Sequence, residues 1–142
     1  MGKMKNILII VLSIAVIGAG AVFFLGKDVL GFGNVGEKSM TAEDIAELSV
    51  DTEVITTNLA SNNFAIVQFN ILLTSKEAKE ELEKRTPEVK SAIISTLASY
   101  KKNEIVGEEG LIKLENNISS RMELIVGRGN VDRVLITEFK VQ

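Results

Sequence analysis

Four groups of residues have the types and spacing to do chemistry. Residues Gly31 to Gly36 read GFGNVG, the G-x-G-x-x-G spacing that cradles a pyrophosphate when a strand leads in and a helix opens within the loop. The carboxylates Glu80, Glu81 and Glu83, with the pair Glu108 and Glu109, could supply the acid and base of a glycoside hydrolase. Asn117-Ile118-Ser119 matches the glycosylation sequon, and Gly127-Arg128-Gly129-Asn130 is a second glycine-rich turn. The chain contains no His and no Cys, which removes the usual general base, the thiol nucleophile and nearly all zinc chemistry.

Context argues against each candidate. GFGNVG lacks the strand that should precede it, and the next helix starts no earlier than Thr41. The glutamates sit among lysines in helical or linking segments, where a solvated charged face is the ordinary reading. A helix stop explains Gly127, the sequon falls inside an amphipathic helix, and Met122 belongs to an apolar stripe that packs a core. No catalytic, cofactor-binding or metal-binding residue is therefore assigned. No cofactor is expected.

The elements that surround these residues say more. Ile7 to Leu25 runs nineteen residues without a charge, which at a rise of about 1.5 Å per residue gives roughly 28 Å of helix, enough to cross the hydrocarbon of a bilayer. Lys3 and Lys5 precede it and only Lys27 closely follows, so residues 1–6 are expected in the cytoplasm and the rest outside. Ala19-Gly20-Ala21 resembles a signal-peptide cleavage site, but Val22, Phe23, Phe24 and Leu25 extend the apolar run beyond it, favouring an uncleaved transmembrane anchor. Residues 26–40, with four glycines, read as a linker. Residues 41–142 form one small exported domain. The part after the span carries fourteen basic and nineteen acidic side chains, which give no footprint for nucleic acid, and nothing supports a nucleotide.

Within that domain Thr41 and Asp44 suggest a capped short helix. Val50 to Asn58 reads as one strand, Ser61, Asn62 and Asn63 as a turn, and Phe64 to Leu73 as the second strand of a hairpin. Thr74 with Glu77 should cap a charged surface helix with few core contacts. Thr86-Pro87 then starts the main core helix, with Val89, Ala92, Ile93, Leu97 and Tyr100 on one face. KKNEIVGEEG is a polar connection, leading to a helix whose stripe is Leu111, Leu114, Ile118, Met122 and Ile125. Val131 to Gln142 closes the chain as a strand apolar on both faces, Leu135, Phe139 and Val141 against Val134 and Ile136, which suggests a place inside the sheet. The expected fold is α+β, a single N-terminal transmembrane helix followed by an exported domain of order β-β-α-α-α-β, with helices packed on one face of an antiparallel or mixed sheet.

The order and spacing of these pieces resemble the flagellar basal body-associated protein FliL family. The matching features are the N-terminal span after a short basic tail, TTNLA at Thr56 to Ala60, RTPEVKSAIISTL at Arg85 to Leu97, GEEGLIKLENNISSRM at Gly107 to Met122, and the ending VDRVLITEFKVQ. The resemblance implies a single-pass cell-membrane protein beside the rotary motor of the bacterial flagellum, without catalysis. Its exported domain would be similar to the stomatin and prohibitin type, self-associate into a homo-oligomeric ring or arc, and contact stator units of the MotA/MotB kind to support torque, swimming or swarming. The alternative is a membrane-anchored extracytoplasmic adaptor unrelated to flagella.

Overall fold

The computed structural model describes residues 39–142. The anchor at Ile7 to Leu25, the Ala19-Gly20-Ala21 site, GFGNVG and nearly all of the 26–40 linker lie outside the described residues. Met40–Gln142 form one compact unit.

The unit opens with α1 (Ala42–Leu48), held by the capping box that the sequence predicts: the Asp44 amide donates to the Thr41 hydroxyl, and the Thr41 amide donates to the Asp44 carboxylate. Strands β1 (Ser49–Asp51), β2 (Ile55–Asn58) and β3 (Phe64–Leu73) follow, and then helices α2 (Lys76–Lys84), α3 (Thr86–Ala98), α4 (Lys102–Ile105) and α5 (Glu108–Val126). Strand β4 (Val131–Val141) ends the fold. All described pairings are antiparallel and all use β3. β4 runs along one flank of β3, and β1 and β2 share the other, end to end.

Alternation along β3 sets the layers. Ala65, Val67, Phe69, Ile71 and Leu73 are fully buried on one face. Ile93 and Leu97 from α3 and Leu114, Ile118 and Met122 from α5 belong to the same buried cluster. Burying an aliphatic or aromatic side chain of this kind contributes roughly 1.5–3 kcal/mol each, so this single layer contact carries most of the apolar stabilisation.

Six expectations are corrected. The single strand from Val50 to Asn58 is broken between Asp51 and Ile55. The cap of α2 is Ser75, whose hydroxyl accepts from the Ala78 amide, while Thr74 instead donates its hydroxyl to the Gly129 carbonyl. That helix also buries Ala78 and Leu82, because one apolar position per turn suffices to seat a charged helix. The polar connection holds α4, whose Ile105 is 0% exposed, and α4 packs so tightly on α5 that a Cβ at Gly110 would lie 2.7 Å from the Glu104 carbonyl oxygen. The stripe of α5 accordingly begins at Gly110 and ends at Val126, with Leu111 and Ile125 only half-buried.

The sixth correction concerns β4, which among the described residues pairs with β3 alone rather than lying between two neighbours. Its pairing slips at two points, once between Gln68 and Phe69 and once between Leu72 and Leu73, leaving Thr137 and Asp132 as extra residues. Each bulge resets the alternation by one residue. Val131, Val134, Ile136, Phe139 and Val141 therefore stand opposite Leu73, Ile71, Phe69, Val67 and Ala65, all on the core face, and Leu135 is left 41% exposed on the other. The two-faced appearance of this strand is a one-faced strand interrupted twice.

Candidate functional site

The sequence candidates are dispersed and engaged. Glu81 pairs with Arg85 at 2.6 Å and Glu80 approaches Lys84 at 3.8 Å, both one turn apart on α2. The Glu81 hydrogen bond and charge, with a smaller share from Glu88, raise the Arg85 pKa above its ordinary value. Glu108 and Glu109 are exposed in the first turn of α5, where acidic side chains complement the helix dipole. Asn117 donates its side-chain amide to the Tyr100 hydroxyl at 2.8 Å, and Met122 is fully buried in the core as expected. Gly127, at φ 97°, ends α5 with its amide on the Glu123 carbonyl. Among the described residues no group of three or more Asp and Glu is placed to hold a metal.

The hollow that the fold does build was not legible as a motif. It is a cleft of about 190 Å³ under the break between β1 and β2, closed on the other side by α2 and α3. Ile55, Ile71, Leu82, Val89 and Ile93 make its apolar wall, and Asp51, Glu53, Glu83 and Lys90 stand around it. Lys90 Nζ lies 2.6 Å from Glu53 Oε1, tying α3 to the break. Both partners of this pair are about half exposed.

Thr52 organises the break. Its amide donates to the Phe69 carbonyl at 2.9 Å, and its hydroxyl accepts from the Phe69 amide at 3.0 Å. Its carbonyl accepts from the Gln68 side chain at 2.9 Å. Side chains thus replace one rung of the ladder, and β3 keeps its hydrogen bonds although its neighbour kinks away. A shallower groove runs between α3 and α5 past Ser91, Ala92 and Ser95, and Leu124 on its border is 73% exposed.

A wall of aliphatic side chains with a charged surround can bind and orient an apolar group. Neither a nucleophile–base pair nor a metal-ligand set stands around it. Among the described residues no helix is long and apolar enough to cross a membrane.

The described unit is a two-layer α+β fold, a helical layer on an antiparallel sheet with hollows at its margins. The family model for flagellar basal body-associated protein FliL matches residues 49–142, from the first strand to the last residue. A flagellar protein FliL of Bacillus subtilis is 36% identical over 126 residues, spanning 89% of this chain and 87% of that protein. A flagellar protein FliL of Aquifex aeolicus is 30% identical over 79 residues, which is 56% of this chain and 49% of that protein. The chain belongs to the FliL family.

Proposed function

We propose that this protein is a non-catalytic, single-pass membrane component of the bacterial flagellar basal body. Ile7 to Leu25 anchors it, residues 1–6 face the cytoplasm, and residues 26–40 link the anchor to a domain on the extracytoplasmic side. The domain self-associates into a ring or arc and contacts stator units of the MotA/MotB kind, supporting torque rather than performing a reaction.

The observation that carries this reading is the family match from the first strand to residue 142, joined to a charge-free stretch of nineteen residues upstream. A short linker then favours neighbours in or near the membrane, because tethering raises their effective concentration. Deleting the gene and scoring swimming and swarming in viscous medium tests the role. Reduced motility, restored by the full chain, is expected; normal swimming and swarming would overturn it. Cell fractionation tests the anchor, which predicts that the domain stays with membranes until detergent is added. Recovery from the culture medium of a chain starting after Ala21 would sink the anchored topology.

A further inference from the structure

The cleft under the strand break has three properties that belong together. Its volume of about 190 Å³ is slightly larger than a cavity of about 150 Å³ that takes up benzene, so one Leu- or Phe-sized side chain fits. Its wall is aliphatic, and Val50 faces into it because Val50 stands opposite the core residue Ile71.

The strand edge beside it is unused by β3. Thr52 gives its amide to Phe69, so alternation turns the N–H and C=O of Asp51 away from β3. On β2 the Leu59 amide reaches Asn63, so Ile55 and Thr57 face β3 and Thr56 faces outward by the same rule. An extended segment laid along this edge would form main-chain bonds there and send alternate side chains toward the cleft. Natural proteins commonly blunt such an edge with Lys or Pro; here the break holds neither, and its Val54, after Thr52 and Glu53, is 51% exposed.

The charge around the cleft is one-sided. Glu53 and Glu83 stand against Lys90 at the cleft, the Asp51 carboxylate being held by the Asn70 side chain at 2.8 Å on the other face of the sheet, and Lys90 is already held by Glu53, so the Glu83 charge is left over. Complementarity favours a cationic neighbour for the inserted apolar group. We infer that this cleft and edge bind an extended segment of another polypeptide, one presenting an apolar side chain of Leu or Phe size flanked by Lys or Arg. The site depends on the folded unit and not on the flagellar role.

The test uses the full chain in zwitterionic detergent micelles and a fluorescein-labelled peptide, Thr-Lys-Val-Leu-Arg-Val-Thr, against a counterpart with Glu at both cationic positions. Fluorescence anisotropy should show the basic peptide binding at least about tenfold more tightly. Glu53→Lys combined with Glu83→Lys, both at exposed positions, should reverse that order, and Val50→Phe should abolish binding by filling the cleft. Circular dichroism verifies that each variant is folded. Amide exchange at Asp51 and Thr56 should slow only when the basic peptide is present. Equal affinity for both peptides, an unchanged order in the double variant, or wild-type binding by Val50→Phe would each overturn the inference. Protection of Asp51 that rises with chain concentration in the absence of peptide would also overturn it, by assigning the edge to a second copy.

Discussion

The two flanks of β3 solve opposite problems with the same device, a local departure from strict alternation. On the β4 flank, two bulges gather Val131, Val134, Ile136, Phe139 and Val141 onto the core face. On the other flank, the register of β1 and that of β2 differ by one residue, and the interruption opens a cleft where the edge should be continuous. An extra residue therefore has no fixed meaning. Where it restores apolar phase it closes the core, and where side chains take over the ladder, as at Thr52, it leaves a hollow that the core tolerates.

The largest effect should come from breaking the β4 side of this comparison. Inserting one Ala between Glu138 and Phe139 slips the end of the strand by one residue, which turns Phe139 and Val141 to the outer face, whereas deleting the unpaired Thr137 leaves both opposite Val67 and Ala65. At roughly 1.5–3 kcal/mol for a fully buried side chain and less for these partly buried ones, the loss is expected at about 3 kcal/mol. Urea unfolding followed by circular dichroism measures it. An insertion variant of wild-type stability would show that the register against β3 does not fix the phase of the strand. Phe139→Asp should cost a similar amount by placing a charge against the core cluster.

How much of this was legible in the sequence follows from where each signal resides. The β2–β3 hairpin, the Thr41–Asp44 cap, Pro87 at the start of α3 and Gly127 at the end of α5 are local, and residue types within a few positions settle them. The bulges are not local. An alternating pattern with an inserted Thr137 looks like a strand apolar on both faces, and only pairing with β3 distinguishes the two. The break is hidden for a related reason: VDTEVITTN is uniformly strand-like in composition, and what interrupts it is the capture of the Phe69 amide by the Thr52 hydroxyl. Ile105 was lost among charged neighbours, although a lone Ile in such a segment is the signal that could have found α4. The cleft itself draws on β1, β2, β3, α2 and α3, so no spacing in the chain announces it.

An intermediate effect is expected at the break. Thr52→Val keeps the shape and the strand preference but removes the oxygen that accepts from the Phe69 amide. A part-buried amide left without a partner costs about 1–2 kcal/mol. Unfolding measurements should register that loss, and the Phe69 amide should exchange faster than its neighbours on β3. If stability and exchange are unchanged, a backbone acceptor has replaced the hydroxyl, and the two flanks are more alike than the hydrogen bonds imply.

The smallest change separates stability from recognition. Glu53→Gln removes the charge facing Lys90 across the cleft, and because both side chains are about half exposed, solvent screening limits the pair to about 0.5 kcal/mol or less. Unfolding should hardly move. Affinity for the basic peptide should nevertheless fall several-fold, because the change removes one of the carboxylates and frees the Lys90 ammonium to repel the cation it would otherwise ignore. The β4 flank offers the control: Glu138 pairs with Lys140 at 3.0 Å on the outer face, and Glu138→Gln should be equally silent in stability without touching peptide affinity. Equal effects of the two substitutions on binding would mean that the peptide senses net charge alone, and the difference between the flanks would then be one of packing only.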